Sequence, residues 1–360
     1  MANKRQSANA IKFYEAKSAE YDGNWHDEFT RRFLSYLDIR GGQNVLDLAC
    51  GTGLLTFLLA DKVGKSGSVV GVDVTPGMLA IAGQKKMLGG DKYGNVSLHR
   101  ADVLHLDETD ALNGKAFDVI TVASALVLFP DPKAAIEHWS TYLKPGGILA
   151  VDATHPRNLI SGMVLERVAR RLDLPVPYNR AWSQSESTLQ AMLESAGLKV
   201  ESVFTVDSQA GYGRRFHDID KWDDFFVETV IVKDVMRTFA SNDIRRKAQG
   251  IYKEEWEKLA IDGKVEEVDA VFLGIARKRE YTACAISTKA RLTIWQLPME
   301  QDMYQRSMST ASSSRVAVAV DLSSTRRPSH RQKSPCVTAG RANICQAQHT
   351  CLSYPSRRAL

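Results

Sequence analysis

The stretch that decides the fold is Val45-Leu46-Asp47-Leu48-Ala49-Cys50-Gly51-Thr52-Gly53, running directly into Leu54–Val63. A short apolar run, a turn with two glycines and a ten-residue helical pattern read as strand, tight loop and helix. In an open sheet this arrangement aims backbone N–H groups at the carboxyl edge of the strands, where such sheets hold ligands. Working outward, β-branched runs recur at Val69–Asp73, Val96–His99, Phe117–Val122, Ile148–Val151, Lys199–Val206 and Val271–Arg277. Helical periodicity fills Pro76–Met87, Pro132–Leu143 and Glu186–Ala196, the last stopped by Gly197. Strands alternating with helices predict an α/β fold with a mostly parallel sheet.

Two inserts interrupt the alternation. Residues 154–183 carry Pro156, Pro175 and Pro177; residues 208–264 hold helical patterns at Trp222–Phe239 and Ile244–Leu259. Both are expected to be helical caps over the ligand edge. Within the second, Trp222, Phe225, Phe226, Thr229, Val230 and Phe239 form a stripe at helical spacing, which fits packing on the body or a lid over a pocket.

A Gly-x-Gly turn alone is weak evidence, and its neighbours sharpen it. Asp73 closes the second strand at the distance where an acid takes both hydroxyls of a ribose. A nicotinamide enzyme would show that as well, but Thr56 stands where its third glycine belongs. Asp47 just before the turn would repel a pyrophosphate and suits the ammonium of a methionine moiety. The sign of that charge favours S-adenosylmethionine over a dinucleotide.

On these residues the chain resembles the class I S-adenosylmethionine-dependent methyltransferases over roughly residues 12–279. Asp47-x-Ala49-x-Gly51-x-Gly53 matches their first motif, with Ala49 in place of a glycine, which implies no positive φ there. Asp73 matches the ribose-binding acid, and Val74 and Met78 fall where adenine is flanked. Ala101-Asp102-Val103 matches the third motif, in which Asp102 accepts from the adenine amino group. Leu143-Lys144-Pro145-Gly146-Gly147 is similar to the turn entering the fifth strand, and Phe272–Arg277 to the last strand. The resemblance implies a Rossmann-like, seven-stranded sheet with helices on both faces and an antiparallel final strand. The similarity is greatest to the ubiquinone and menaquinone C-methyltransferases and to natural-product methyltransferases. In that branch a Tyr-Asp pair upstream of the loop closes the cofactor site; Tyr14-Glu15 and Tyr21-Asp22 stand at that place.

Tyr21, Asp47, Ala49, Gly51, Gly53, Asp73, Val74, Met78, Asp102, Val103 and Ala123 are thus the candidate residues for S-adenosyl-L-methionine. Ala123 opens the exit of the fourth strand, Ala123-Ser124-Ala125-Leu126, which lacks the Asn/Asp-Pro-Pro-aromatic run of nucleic-acid amino methyltransferases. For a general base His155, just past the fifth strand, is the first candidate, with His26 and His217 behind it. Arg214-Arg215 reads as a solvated charge pair or a contact to an acidic substrate. The resemblance implies a small secondary metabolite, polyketide-like or another natural product, as acceptor; a quinone precursor, or a non-catalytic role as a donor-binding regulator, are the alternatives.

Composition agrees. The chain has 360 residues, 44% hydrophobic and 25% charged, with a net charge of +5. Residues 281–360 hold eleven Lys or Arg, three acids, twelve serines and four of the five cysteines. Residues 1–280 are therefore mildly acidic, which argues against a nucleic-acid partner. Cys50, alone in that part, forms no disulfide framework and no metal site, and points to a reducing, cytoplasmic setting. No apolar window is long enough to span a membrane. The expected division is a methyltransferase domain at 1–280, with its core at about 40–207 and 265–279, and a disordered Ser/Arg-rich tail at 281–360 foreign to the working protein.

Overall fold

A computed structural model describes residues 2–232 and 238–280. The expected disordered tail lies outside them. Two helices, α1 (Ala2–Lys17) and α2 (Trp25–Ser35), precede β1 (Asn44–Leu48), α3 (Leu54–Val63), β2 (Ser68–Asp73), α4 (Pro76–Gly89), β3 (Val96–Arg100) and β4 (Phe117–Val122). Then come α5 (Pro132–Thr141), β5 (Leu143–Thr154), α6 (Ile160–Arg171), α7 (Glu186–Ser195) and β6 (Leu198–Asp207). The remainder is β7 (Arg214–Asp218), α8 (Trp222–Phe226), α9 (Asn242–Glu257), β8 (Ala260–Ile261), β9 (Lys264–Val268) and β10 (Ala270–Lys278).

Seven strands form one sheet in the order β3-β2-β1-β4-β5-β10-β6. β1 to β5 pair in parallel, and β10 runs antiparallel between β5 and β6. The expected α/β sheet with an antiparallel last strand is what forms. Its central strands are apolar on both sides because both faces are covered. Leu46 and Leu48 of β1 pack with Trp139 of α5 and Leu189 of α7; Val45 faces Leu59 of α3 and Phe33 of α2. Asp47 shares the Val45 side by the two-residue period of the strand.

Two expectations about strands and inserts are corrected. The run Leu143–Gly147 is part of β5 and not a separate turn; it carries a wide bulge where pairing jumps from Phe117↔Leu143 to Val119↔Ile148, with Gly146 at φ +76°. The inserts are not purely helical, since β7, β9 and β8 form a second, antiparallel sheet. β7 and β9 are short and charged and β8 is only two residues long, so they lack the apolar alternation that marks a strand. The β8–β9 turn, Asp262-Gly263, has positive φ at both residues (49° and 74°), the conformation a two-residue hairpin demands.

The Trp222–Phe239 pattern is also not one α-helix in its described part. α8 ends at Phe226 and continues as a π-helical segment, Val227–Val232. Phe226 and Phe239 are buried with Met163 and Val164 of α6 and Tyr252 and Trp256 of α9. Trp222, Phe225, Phe226 and Phe239 of the stripe therefore pack into a small core of their own, built from both inserts. Phe225 stacks on Trp256 at 4.8 Å, and the Trp256 indole N–H donates to the Ile219 carbonyl at 3.1 Å.

Candidate functional site

Leaving β1, the chain must turn sharply while still paired to β2: the Cys50 N–H donates to the Val72 carbonyl at 3.0 Å. That turn places Ala49 at φ +52°, against the expectation of no positive φ at this position. Alanine, with the smallest side chain after glycine, accepts the left-handed conformation at a cost of roughly 1–2 kcal/mol. Ser124, at the end of neighbouring β4, is also left-handed, at φ +55°. Its N–H donates to the Asp152 carboxylate on β5 at 2.6 Å. Two strained non-glycine residues thus flank one spot on the sheet edge, the kind of strain that concentrates where ligands bind.

A cavity opens at that spot. Tyr21, Ala49, Gly51, Asp73, Val74, Met78, Asp102, Val103 and Ala123 all line it. These candidates therefore converge from β1, β2, β4 and the loop after β3. A smaller cavity shares Tyr21, Ala49, Gly51, Ala123 and Ser124 with the first, and adds Asp47, Thr52 and the first residues of α3. Gly53 lines neither. It supplies the left-handed N-cap of α3 at φ +82°, and a Cβ there would lie 2.6 Å from the Phe57 ring.

Asp47, Asp73 and Asp102 line the cavities and Asp152 stands behind Ser124; burial pushes Asp47, Asp73 and Asp152 up. Asp47 accepts from the Thr56 hydroxyl at 2.6 Å and the Thr121 hydroxyl at 2.7 Å. Thr121 sits beside it in the parallel register of β4. These bonds offset the burial only in part, and the Asp47 carboxyl rises to about 6. Thr56, noted above for breaking a dinucleotide pattern, thus serves Asp47. Asp73 accepts the Gly51 and Thr75 N–H groups, both at 2.8 Å, tying the Gly loop to the end of β2; burial raises it as well. Asp152 rises to about 7, its bond from Ser124 notwithstanding. Asp102 accepts the Leu104 N–H through Oδ1 at 3.0 Å.

The amino-terminal segment roofs the site. Ser7, Ala10, Ile11 and Tyr14 of α1 line the larger cavity. The roof is pinned by polar contacts. Glu15 accepts the Gly77 N–H at 2.9 Å, at the start of α4, and Gln6 donates to the Leu128 carbonyl at 3.0 Å. Asp22 accepts from the Thr52 hydroxyl at 2.6 Å and pairs with Lys85 at 2.7 Å. Both aromatic-acid pairs therefore do one job: the tyrosine faces the cavity and the acid fastens the chain to the loop or to α4. Burial raises the phenols of Tyr14 and Tyr21.

His155 is not brought to either cavity. Its Nδ1 accepts the Arg157 N–H at 3.1 Å, and its ring leans on Phe272. His217 contacts Glu267 at 2.9 Å in the second sheet, and Arg214 and Arg215 pair with Glu266 and Glu267 at 3.1 and 2.9 Å. Cys50 is buried, and burial pushes its thiol up, away from reactivity. The histidine that does line the site is His26, in the smaller cavity. Sequence reading also missed Asp152, Ser124 and the face of α1. None of these carries a local signal, because only the sheet's closure brings them together.

The cavities fit an S-adenosylmethionine-sized group. Asp73 and Asp102 line the larger cavity, Asp102 bonds the Leu104 N–H through Oδ1 alone, and a Cβ on Gly51 would have no protein atom beyond its chain neighbours within 4 Å. Comparison with known proteins agrees. A methyltransferase-domain family profile matches residues 39–207. A ubiquinone/menaquinone biosynthesis C-methyltransferase from Teredinibacter turnerae is 30% identical over 206 residues, covering 51% of this chain and 81% of that protein. The chain belongs to the class I S-adenosylmethionine-dependent methyltransferases, in the quinone C-methyltransferase branch. A demethylmenaquinone methyltransferase from Lactobacillus johnsonii is 35% identical to the present methyltransferase over 131 residues, 36% of this chain and 52% of that one. Across four such demethylmenaquinone relatives this methyltransferase spans 52% to 63% of their length. Among solved structures, a cyclopropane-fatty-acyl-phospholipid synthase-like protein from Lactobacillus casei gives a TM-score of 0.48 at 16% identity, over 70% of this methyltransferase and 90% of that chain.

Proposed function

We propose that the protein transfers the methyl group of S-adenosylmethionine to a small-molecule acceptor. The observation that carries this reading is the convergence of Asp47, Asp73 and Asp102 on two joined cavities at one sheet edge. Asp73 would take the ribose hydroxyls, Asp102 the adenine amino group beside Val103, and Asp47 the ammonium. Val74 and Met78 would flank the adenine. The bound donor supplies a sulfonium methyl open to in-line attack. The protein's share is to hold two substrates in line, an alignment worth roughly 7–11 kcal/mol, and to exclude water beneath α1. The acceptor would approach between Tyr21 and Ser124, which line both cavities.

For the acceptor we favour a polyketide-like natural product. A quinone precursor is the second reading, supported by what the Teredinibacter and Lactobacillus relatives are named for. A lone buried cysteine among residues 1–280 supports a reducing, cytoplasmic setting. The test is titration with S-adenosylhomocysteine, followed by a mass-shift assay against phenolic polyketides and demethylated quinols. Binding without turnover on any acceptor would favour a non-catalytic regulator. Absence of binding would end the donor assignment.

A further inference from the structure

Of the polar side chains lining the smaller cavity, His26 and Thr30 have no role above, and His26 is the one with a ring nitrogen to offer. It lies in the first turn of α2, which Asn24 caps. The Asn24 amide is oriented by its own bonds: Nδ2 donates to the Tyr21 carbonyl at 2.6 Å and Oδ1 accepts the His26 N–H at 2.9 Å. The His26 Nδ1 lies 2.5 Å from that same Oδ1, which has no proton to give, so Nδ1 carries the ring proton. Nε2 of the neutral ring is then a bare lone pair. Among the described residues it has no hydrogen-bond partner. The ring is held between Trp25 and Tyr21, with centroids 3.7 and 4.3 Å away.

Burial lowers the His26 ring to about 4, and the nearby Asp22 carboxylate opposes this only partly, being itself tied to Lys85. The other charged groups around it are Asp27, next along α2, and Asp47 across the cavity. The ring is therefore neutral near pH 7, and whatever meets Nε2 must bring a proton to the bond.

Asp47, Thr52 and the start of α3 share this cavity, so it receives the amino-acid end of the donor. An ammonium there has three N–H groups to place. Each Asp47 oxygen already accepts one threonine hydroxyl and keeps one further lone pair, so Asp47 can meet at most two of the three N–H groups and the third needs another acceptor. We infer that His26 is a donor-binding residue whose Nε2 accepts a hydrogen bond from the α-ammonium of S-adenosylmethionine, sharing that group with Asp47. This rests on the donor-binding reading given above. It separates His26 from proton transfer with the methyl acceptor, the role for which a histidine is usually sought.

The experiment compares two ligands on the full chain. S-adenosylhomocysteine has the amino-acid end, and 5′-methylthioadenosine lacks it. His26→Phe should weaken the first by roughly tenfold or more, the loss of one bond to a charged group, and leave the second unchanged. Unchanged binding of the second ligand also certifies the fold of the variant. His26→Gln, which keeps an acceptor oxygen, should recover part of the loss. The homocysteine-to-thioadenosine affinity difference attributable to His26 should carry no proton uptake near neutral pH. Equal losses for both ligands would mean a structural role and overturn the inference, as would no loss for either. Tighter binding with proton uptake as pH falls would also overturn it, because a charged imidazole would then be meeting the carboxylate. If the wild-type chain binds 5′-methylthioadenosine but not S-adenosylhomocysteine, the inference fails alone; if it binds neither, the donor-binding reading fails with it.

Discussion

Asp73→Ala tests the centre of the site, because Asp73 is asked to do two things. In the free protein its carboxylate accepts the Gly51 and Thr75 N–H groups, both at 2.8 Å. With donor bound it would also accept from the two ribose hydroxyls. Bonds to a charged group are worth about 1.5–3 kcal/mol each. Two such bonds give about 3–6 kcal/mol, but Asp73 is desolvated before the ligand arrives, and burial already raises its carboxyl. The two N–H groups it already holds weaken what it can give a ribose, so the floor is one bond's worth, about 1.5 kcal/mol: S-adenosylhomocysteine should bind at least about tenfold more weakly. The truncation also strands two N–H groups at about 1–3 kcal/mol apiece when buried, reduced where cavity water reaches them. A fall in Tm of several degrees should accompany the loss, since 1 kcal/mol shifts a domain of this size by roughly 2–4 °C. Calorimetric titration and a melting curve on the same sample read both quantities. Homocysteine affinity within threefold of wild type (about 0.6 kcal/mol) would refute the ribose assignment. A normal affinity with a lowered Tm would leave Asp73 a purely structural residue of the loop.

Three further outcomes are expected. The folded-state value of Asp47 is raised, to about 6, above that of the unfolded chain, so its contribution to apo stability is full at low pH and lost as pH rises toward 6. Donor affinity should run the other way, growing as Asp47 ionises through that range, and Asp47→Asn should flatten the profile of homocysteine titrations; an unchanged slope would detach Asp47 from the ammonium. His155→Gln should leave turnover near wild type, because its ring lies outside both cavities; a loss on the order of a hundredfold, in the range of general-base catalysis, would return it to the mechanism. Ala49→Gly relieves a left-handed alanine at roughly 1–2 kcal/mol against an entropic cost of about 0.5–1 kcal/mol, so Tm should hold or rise slightly, while Ala49→Val should lower it.

The sheet was legible because its parallel strands are buried on both sides, and such strands appear as unbroken β-branched runs. Leu54–Val63 and Phe117–Val122 fall where their patterns place them. Most of the candidate residues that line the cavities were legible because they stand at or just past the carboxyl ends of strands. What escaped is what depends on distant parts of the chain meeting. His26 and Ser124 are far apart in sequence, and nothing near either marks it as facing the same cavity. The positive φ of Ala49 escaped for a different reason: the need to stay paired with β2 while turning overrode the preference of the residue. The small sheet in the insert had a readable sign, the Asp262-Gly263 dipeptide, but its flanking strands are too polar to draw notice.

The hydroxyl cradle of Asp47 bears on how the chain finds its own pairing. Side chains alternate across a strand, so a one-residue slip of β1 against its neighbours would exchange its two faces. Leu46 and Leu48 would then point at Thr56 and Thr121, and the carboxylate would enter the apolar layer around Trp139 and Leu189. A buried charge stripped of its partners costs about 3–5 kcal/mol, a sizeable share of the roughly 5–15 kcal/mol that keeps a domain folded. The misaligned chain is penalised by the same carboxylate proposed above to meet the ligand. A group proposed for binding thus also proofreads the assembly of the sheet.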